Sequence, residues 1–299
     1  MSLGEEKCLI CRESDPQTVY DGPIRVGAVK GQGQIMRVLE CRSCGAQRLD
    51  PFPEDPLSGY VDGSYRQAYD GSAAIASYYA VHDHEQASKL SVVGVKSLRG
   101  KVVADIGCGA GAFLDVIRGV AGRLIAVEPM QDFHAHLSSR VSSLYPTTKE
   151  LAVAEGSQVD VAVSFSVIEH VADPRTFLSE IGTALAKQGT VHLTTPNRAE
   201  ILMRLCSETF APFFYRTAHL WYFDAAALTK LAHLAGFRVR TMTTLHSYDL
   251  SNFALWLRDG RPTGVGQVAE FGPVLDAAWR THLVQSGMGD HLYAILEPN

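Results

Sequence analysis

Several things are missing from this 299-residue chain, and each absence narrows what it does. No stretch approaches the ~18–20 uninterrupted apolar residues that a membrane-spanning helix needs, so no membrane partner is expected. The opening residues, MSLGEEKCLICRE, have no apolar core of the kind a secretory signal carries. Positive charge is not in excess: 27 Lys and Arg stand against 32 Asp and Glu, a net charge of −5. That balance argues against a surface built to track a phosphate backbone, and hence against a nucleic-acid partner. No internal repeat of 20–50 residues and no low-complexity tract is present, which excludes a solenoid. A cytoplasmic location follows as the expectation, and in that compartment thiols stay reduced. The six cysteines therefore ask for a reason other than disulfides.

Four of the six are clustered. Cys8 and Cys11 form one Cys-x-x-Cys pair, Cys41 and Cys44 a second, with 29 residues between them. A two-residue gap lets one tight turn present two sulfurs, and two such turns make a tetrahedral zinc site. Neither pair opens a helix in a βαβ unit, so a redox pair is the weaker reading. Between the pairs, KGQG offers a turn and IMRVLEC a strand, which predicts a hairpin leading into the second pair. Gly45 follows Cys44, where such a turn often needs a positive φ. With four protein sulfurs on the metal no position is left for water, so the zinc is expected to be structural. A module of ~55 residues buries little core of its own, and a metal would stabilise it.

The segment LDPFPEDPLSG carries Pro51, Pro53 and Pro56 and reads as a linker. Residues 64–98 look largely helical. From residue 101 strands and helices alternate. KVVADIG, RLIAVEP, VDVAVSFSV, GTVHLTTPN and RVRTMTTL read as strands; GAFLDVIRGV, MQDFHAHLSSRV, PRTFLSEIGTAL and DAAALTKLAHLAGF read as helices. Asp224 caps the last of these and Gly236 ends it. LRDGRPTGVGQVAEFGP looks like a loop, GPVLDAAWRTHLVQ a helix and HLYAILEP a last strand. The alternation predicts an α/β doubly wound sheet, Rossmann-like, with a final antiparallel strand. The expected organisation is a zinc-ribbon module over 1–55, a helical segment covering the cofactor site over 56–99, and the main domain over 100–299. Residues 246–289 exceed what a bare last hairpin needs and form a substrate or oligomer insertion; the oligomeric state itself is not legible.

The first strand ends in VADIGCGAGA. Its glycines, Gly107, Gly109 and Gly111, stand at every second position, not at the G-x-G-x-x-G spacing that cradles a pyrophosphate. Asp105 precedes them, and a carboxylate there favours a ligand with an ammonium group over one with phosphates. Glu128 ends the next strand, 17 residues after Gly111, where an acid can accept both hydroxyls of a ribose. These residues resemble the class I S-adenosylmethionine-dependent methyltransferases. VVADIGCGAGAFL is like their first motif, LIAVEP like their second, and VDVAVSFSVIEHVADPRTFLSEIGTALAKQGTVHLTTPN like the stretch over their fourth and fifth strands. The likeness runs over roughly residues 95–245. It implies that Asp105 and the three glycines hold the methionine moiety of S-adenosylmethionine and Glu128 its ribose, and that Ser166 faces the cofactor. The adenine-side acid stays open between Glu150 and Glu155. Cys108 and Cys206 read as plain buried residues.

SVIEHV leaves the fourth strand where parallel sheets bind their ligands, so His170 is the first candidate for a general base. A packed residue at a helix start is the alternative. His219, in AHLWYF, is the second candidate, beside an aromatic stretch that is either a lid or core. Tyr78 and Tyr79 lie on a helix of the kind that closes over the cofactor in this family. His82 and His84 on the same helix read as a packed or solvated face. LECRSCGAQRLDPFP is similar to a ribbon ahead of bacterial methyltransferases acting on sugars and other small molecules; certain ribosomal-RNA methyltransferases also carry an N-terminal zinc site. Residues 1–60 hold seven Lys and Arg against nine Asp and Glu, so the small-molecule reading leads. A sugar, nucleotide-linked sugar or related metabolite is the expected acceptor, at oxygen or carbon. A cofactor-binding regulatory protein without catalysis is the third alternative.

Overall fold

The computed structural model describes residues 7–13, 15–27, 33–53, 58–69, 71–262 and 266–299. Within them the strands are β1 (Pro16–Ile24), β2 (Gln34–Cys41), β3 (Gln47–Asp50), β4 (Val102–Ile106), β5 (Arg123–Val127), β6 (Ser143–Tyr145), β7 (Val159–Phe165), β8 (Leu185–Pro196), β9 (Trp221–Tyr222), β10 (Phe237–Leu245) and β11 (His291–Pro298). The helices are α1 (Ser58–Val61), α2 (Ser64–Tyr69), α3 (Ile75–His82), α4 (Gln86–Val93), α5 (Val95–Leu98), α6 (Ala112–Ile117), α7 (His134–Ser138), α8 (Thr148–Glu155), α9 (Pro174–Ala184), α10 (Ile201–Leu205), α11 (Ser207–Phe214), α12 (Ala225–Leu234), α13 (Leu250–Asp259) and α14 (Pro273–Gln285).

Seven strands form one sheet in the order β10-β11-β8-β7-β4-β5-β6. β4 pairs in parallel with β5 and with β7, β5 with β6, and β7 with β8. The central strands read as apolar runs because both faces are buried: Val103, Ala104, Ile125, Ala126, Ala162 and Val163 are all closed to solvent. This is the expected α/β, Rossmann-like sheet, with the last strand of the chain inserted between β10 and β8. α12 starts and stops as its caps predict: the Asp224 carboxylate accepts the Ala227 N–H at 2.8 Å, and Gly236 takes φ +91°.

The chain divides into two compact units. One comprises 1–52, 195–230 and 241–293; the other 53–194, 231–240 and 294–299. The core of the second gathers Val103, Phe113, Leu114, Ile117, Phe133, Leu137 and Val161. The core of the first gathers Ile24, Val38, Leu49, Phe210, Phe214, Tyr222, Trp256 and Leu283.

Residues 64–98 are largely helical, as expected, in α2 to α5 with breaks at Gly71 and Gly94, both at positive φ. Two features differ from the sequence reading. β6 and α8 are additional elements; three half-buried residues are too short to show an alternation. α13 occupies a stretch to which no element was assigned and runs three residues into the expected loop, which begins at Leu257; it is capped by Asp249, whose carboxylate accepts the Asn252 N–H at 2.7 Å. The KGQG turn lies mostly outside the described residues, as do Pro56 and residues 263–265 of the expected loop. The hairpin itself is β1 with β2, and β3 extends it. The sheet does not stop there: β9 pairs with β3, Gln47 opposite Tyr222 and Arg48 opposite Trp221.

Candidate active site and thiol cluster

β4 delivers Asp105 and then breaks into the glycine loop. Gly107, Gly109 and Gly111 adopt φ of +74°, +58° and +94°, the left-handed region that other residues enter at a cost. Space matters as much as φ. A Cβ on Gly107 would lie 2.5 Å from Val167, and one on Gly109 would lie 2.4 Å from the Tyr78 ring. Tyr78 is buried, and its hydroxyl donates to the Cys108 carbonyl at 3.2 Å. The Arg66 guanidinium stacks over the Tyr78 ring at 5.0 Å and over Phe133 at 5.6 Å. Tyr79 donates to Asp115 at 2.5 Å and to the Ala110 carbonyl at 3.3 Å. Both tyrosines of α3 thus touch the loop itself.

Glu128, at the end of β5, is buried and bridges the loop to its own strand. One carboxylate oxygen accepts the Gly109 N–H at 2.7 Å, the other the Met130 N–H at 3.0 Å. Each oxygen keeps a lone pair for a further donor. Asp105 is 3% exposed and makes no side-chain hydrogen bond among the described residues. Burial pushes its carboxyl up to about 7, with Lys89 acting in the opposite direction and Glu128 adding to the rise. Two buried acids, one of them unpartnered, suit a guest that brings positive charge and hydrogen-bond donors. This fits a nucleoside with an ammonium and a sulfonium group and suits a pyrophosphate poorly.

Ser166 follows β7 in a left-handed conformation, φ +55°, and its N–H donates to the Thr194 carbonyl at 3.0 Å. A non-glycine residue held there costs of order 1 kcal/mol or more and tends to mark functional sites. Neither candidate for the adenine-side acid is open. Glu150 completes a capping box with Thr147 at the start of α8, and Glu155 binds Arg123 and Tyr145.

His170 sits in a short 3-10 turn, Ile168–His170, right after Ser166 and Val167. Its Nδ1 lies 2.6 Å from the Tyr60 hydroxyl, and its Nε2 lies 3.9 Å from the fully buried Glu169. Tyr60 and Tyr65 present their rings to the imidazole at 5.5 and 5.7 Å. Burial pushes the Tyr60 phenol far above its usual range, so it keeps its proton. Tyr60 carries no signal in the sequence, since 110 residues separate it from His170. His219 belongs to the other unit, where it is buried with its ring 6.0 Å from that of Tyr222.

In that same unit the four cysteines converge. Cys8 and Cys44 sulfurs are 3.7 Å apart, Cys11 and Cys41 sulfurs 3.5 Å, and all four lie within 4.8 Å of one another. Four thiolates about 2.3 Å from a tetrahedral zinc have sulfurs separated by about 3.8 Å, so the donor set fits that ion. Each pair is followed by a left-handed residue, Arg12 at +67° and Gly45 at +74°. These turns let the Arg12 N–H reach the Cys8 carbonyl and the Gly45 N–H the Cys41 carbonyl, at 2.8 and 2.7 Å.

A family model described as a methyltransferase domain matches residues 80–242. A Mycolicibacterium smegmatis protein named as an S-adenosylmethionine-dependent methyltransferase is 33% identical over 192 residues, covering 62% of this chain and 69% of that protein. The ubiquinone biosynthesis O-methyltransferase of Aeromonas salmonicida is 32% identical over 187 residues, 58% of this chain and 77% of the relative. Among solved structures, an S-adenosylmethionine-dependent methyltransferase from Archaeoglobus fulgidus superposes with a TM-score of 0.50. It is 15% identical and covers 74% of this chain and 96% of its own. Among the described residues no helix is long and apolar enough to cross a membrane.

Proposed function

As this chain belongs to the class I S-adenosylmethionine-dependent methyltransferases, we propose that it methylates a small-molecule acceptor at oxygen or carbon, a sugar, nucleotide-linked sugar or related metabolite. The buried, unpartnered Asp105 at the mouth of a loop built of three left-handed glycines is the observation that carries the site assignment. Asp105 receives the ammonium of the methionine moiety, and Gly107, Gly109 and Gly111 let it lie against backbone. Glu128 uses its remaining lone pairs for the ribose hydroxyls. Ser166 borders the methionine side. When bound, S-adenosylmethionine supplies an electrophilic methyl on a sulfonium.

What the chain must then do is orient the acceptor in line and remove a proton if the nucleophile is a hydroxyl. His170 is the candidate base. The 2.6 Å contact between its Nδ1 and the Tyr60 hydroxyl orients the ring for that step. His219 is the second candidate.

The thiol cluster holds a structural zinc through Cys8, Cys11, Cys41 and Cys44, with no position left for water. The acidic balance of residues 1–60 supports a small-molecule acceptor over RNA. The ubiquinone O-methyltransferase relatives are consistent with small-molecule O-methylation.

Titration calorimetry tests the reading. S-adenosylmethionine binds the wild-type protein, and Glu128→Ala weakens it at least ten-fold. No heat from the wild type overturns catalysis at this site.

A further inference from the structure

Glu40 directly precedes Cys41, and its carboxylate accepts from three side chains. Gln17 donates to one oxygen at 3.0 Å; Gln47 and Arg198 donate to the other at 3.0 and 2.9 Å. Gln47 is buried, and its amide oxygen accepts the Tyr215 hydroxyl at 3.0 Å. The second arm of the Arg198 guanidinium donates to Asp224. That carboxylate is shared, because its other oxygen accepts the Ala227 N–H at 2.8 Å and caps α12. One cation thus joins the strand that leads into the second thiol pair to the start of a helix.

The contact extends to the thiol turn itself. Gly45 follows Cys44, and a Cβ there would lie 3.7 Å from a terminal nitrogen of Arg198 and 3.7 Å from the Ala227 Cβ. The turn that presents Cys41 and Cys44 therefore packs on the guanidinium and on the first turn of α12. The main chain adds two ties: the Arg198 N–H donates to the Phe223 carbonyl at 2.9 Å, and β9 pairs with β3. All these residues belong to one compact unit. The side chains of Glu40, Arg198 and Asp224 are 19%, 19% and 26% exposed. Removing the cation would leave two half-buried carboxylates short of their partner, which costs far more than loss of a surface pair.

We propose that Arg198 is a positioning residue that couples the metal to α12: the ion orders the thiol turn, the turn and Glu40 fix the guanidinium, and the guanidinium fixes the Asp224 cap. The proposal rests on the reading of the four thiols as a zinc site and says what that metal governs beyond its own ribbon. The stretch bracketed by Arg198 and Asp224 carries His219, the second candidate base, so loss of the metal loosens the segment that holds it. Residues outside a metal's own ligands act on its affinity in this way. Coupling is reciprocal: if the metal stabilises the cap, the cap stabilises the metal by the same factor. Arginine suits the position because its planar fork serves two carboxylates at once, which a lysine ammonium does less well.

The test combines zinc competition against a chromophoric chelator with amide hydrogen exchange, both on the zinc-loaded full chain. Arg198→Ala lowers zinc affinity about ten-fold, within the usual range of coupling between sites, and Arg198→Lys recovers part of it. Asp224→Asn, far from the thiols along the chain, lowers zinc affinity in the same direction. In the wild type, withdrawal of zinc speeds exchange of the Ala227 amide about ten-fold; in Arg198→Ala that amide is already fast with zinc bound. Asp249→Asn, which weakens the cap of α13 in the same unit, lowers stability but leaves zinc affinity within two-fold of wild type. Zinc affinity indifferent to Arg198 and Asp224, or lowered equally by Asp249→Asn, overturns the coupling. A wild-type chain that takes up no zinc overturns the zinc reading instead, and that result is read before any variant is made.

Discussion

At the residue scale, Asp105 sets the pH behaviour of the proposed cofactor site. Its carboxyl is raised to about 7 by burial, so between about pH 4 and 7 the folded protein holds a proton that the unfolded chain has released. Its contribution to stability is therefore fully present in acid and is lost as pH rises toward 7. An ammonium ligand reverses the preference, and binding near pH 6.5 releases that proton. Calorimetry in buffers of different ionisation enthalpy should show release of a substantial fraction of one proton, absent in Asp105→Asn. Wild-type affinity should rise toward pH 7 and then level. His170 gives a second prediction. His170→Ala should lower turnover about a hundred-fold or more at unchanged cofactor affinity, in the range of a lost general base. Tyr60→Phe should lower it several-fold through the misplaced imidazole, with a shifted pH profile; an unchanged rate in both moves the base to His219. Asp105, Glu128 and the glycines were legible because one short loop and its flanking strands carry them. Tyr60 was not, because burial and a contact across 110 residues of chain, not spacing, give it its meaning.

At the scale of elements, the glycine loop and α3 are fitted to each other. Gly109→Ala has no room beside the Tyr78 ring and carries φ +58°, so either ring or loop must move. A cofactor affinity at least ten-fold weaker and a melting temperature several degrees lower are expected. Gly119→Ala, with nothing within 4 Å of the added carbon, should leave both nearly unchanged. Calorimetry and a thermal melt check the pair. The alternation of apolar runs and helical periods made the central sheet readable, and Asp224 and Gly236 marked α12 at both ends. α13 was missed because its Asp249 cap leads into a sequence that also carries turn residues. β6 and β9 were missed because strands of three and two residues display no period.

At the scale of the whole molecule, the N-terminal thiols belong to a unit that also contains residues 195–230 and 241–293. All three tryptophans, Trp221, Trp256 and Trp279, lie in it. Metal analysis should find about one zinc per chain, lost on replacing Cys41 and Cys44 with serine. Chelation should lower the melting midpoint seen by tryptophan fluorescence by several degrees, since ligand binding to the folded state is folding free energy. A fluorescence midpoint indifferent to the chelator would leave the thiols without a metal.

The pairing of β3 with β9 has a consequence for biosynthesis. Arg48 finds Trp221 only after some 170 further residues have been made, which at ~5–20 residues per second takes roughly 10–35 seconds. The β1–β3 segment is thus made well before the strand that completes its sheet. The edge of β3 that β9 covers stays open throughout that wait, and a metal ion taken up early by the four cysteines would keep the nascent hairpin in register.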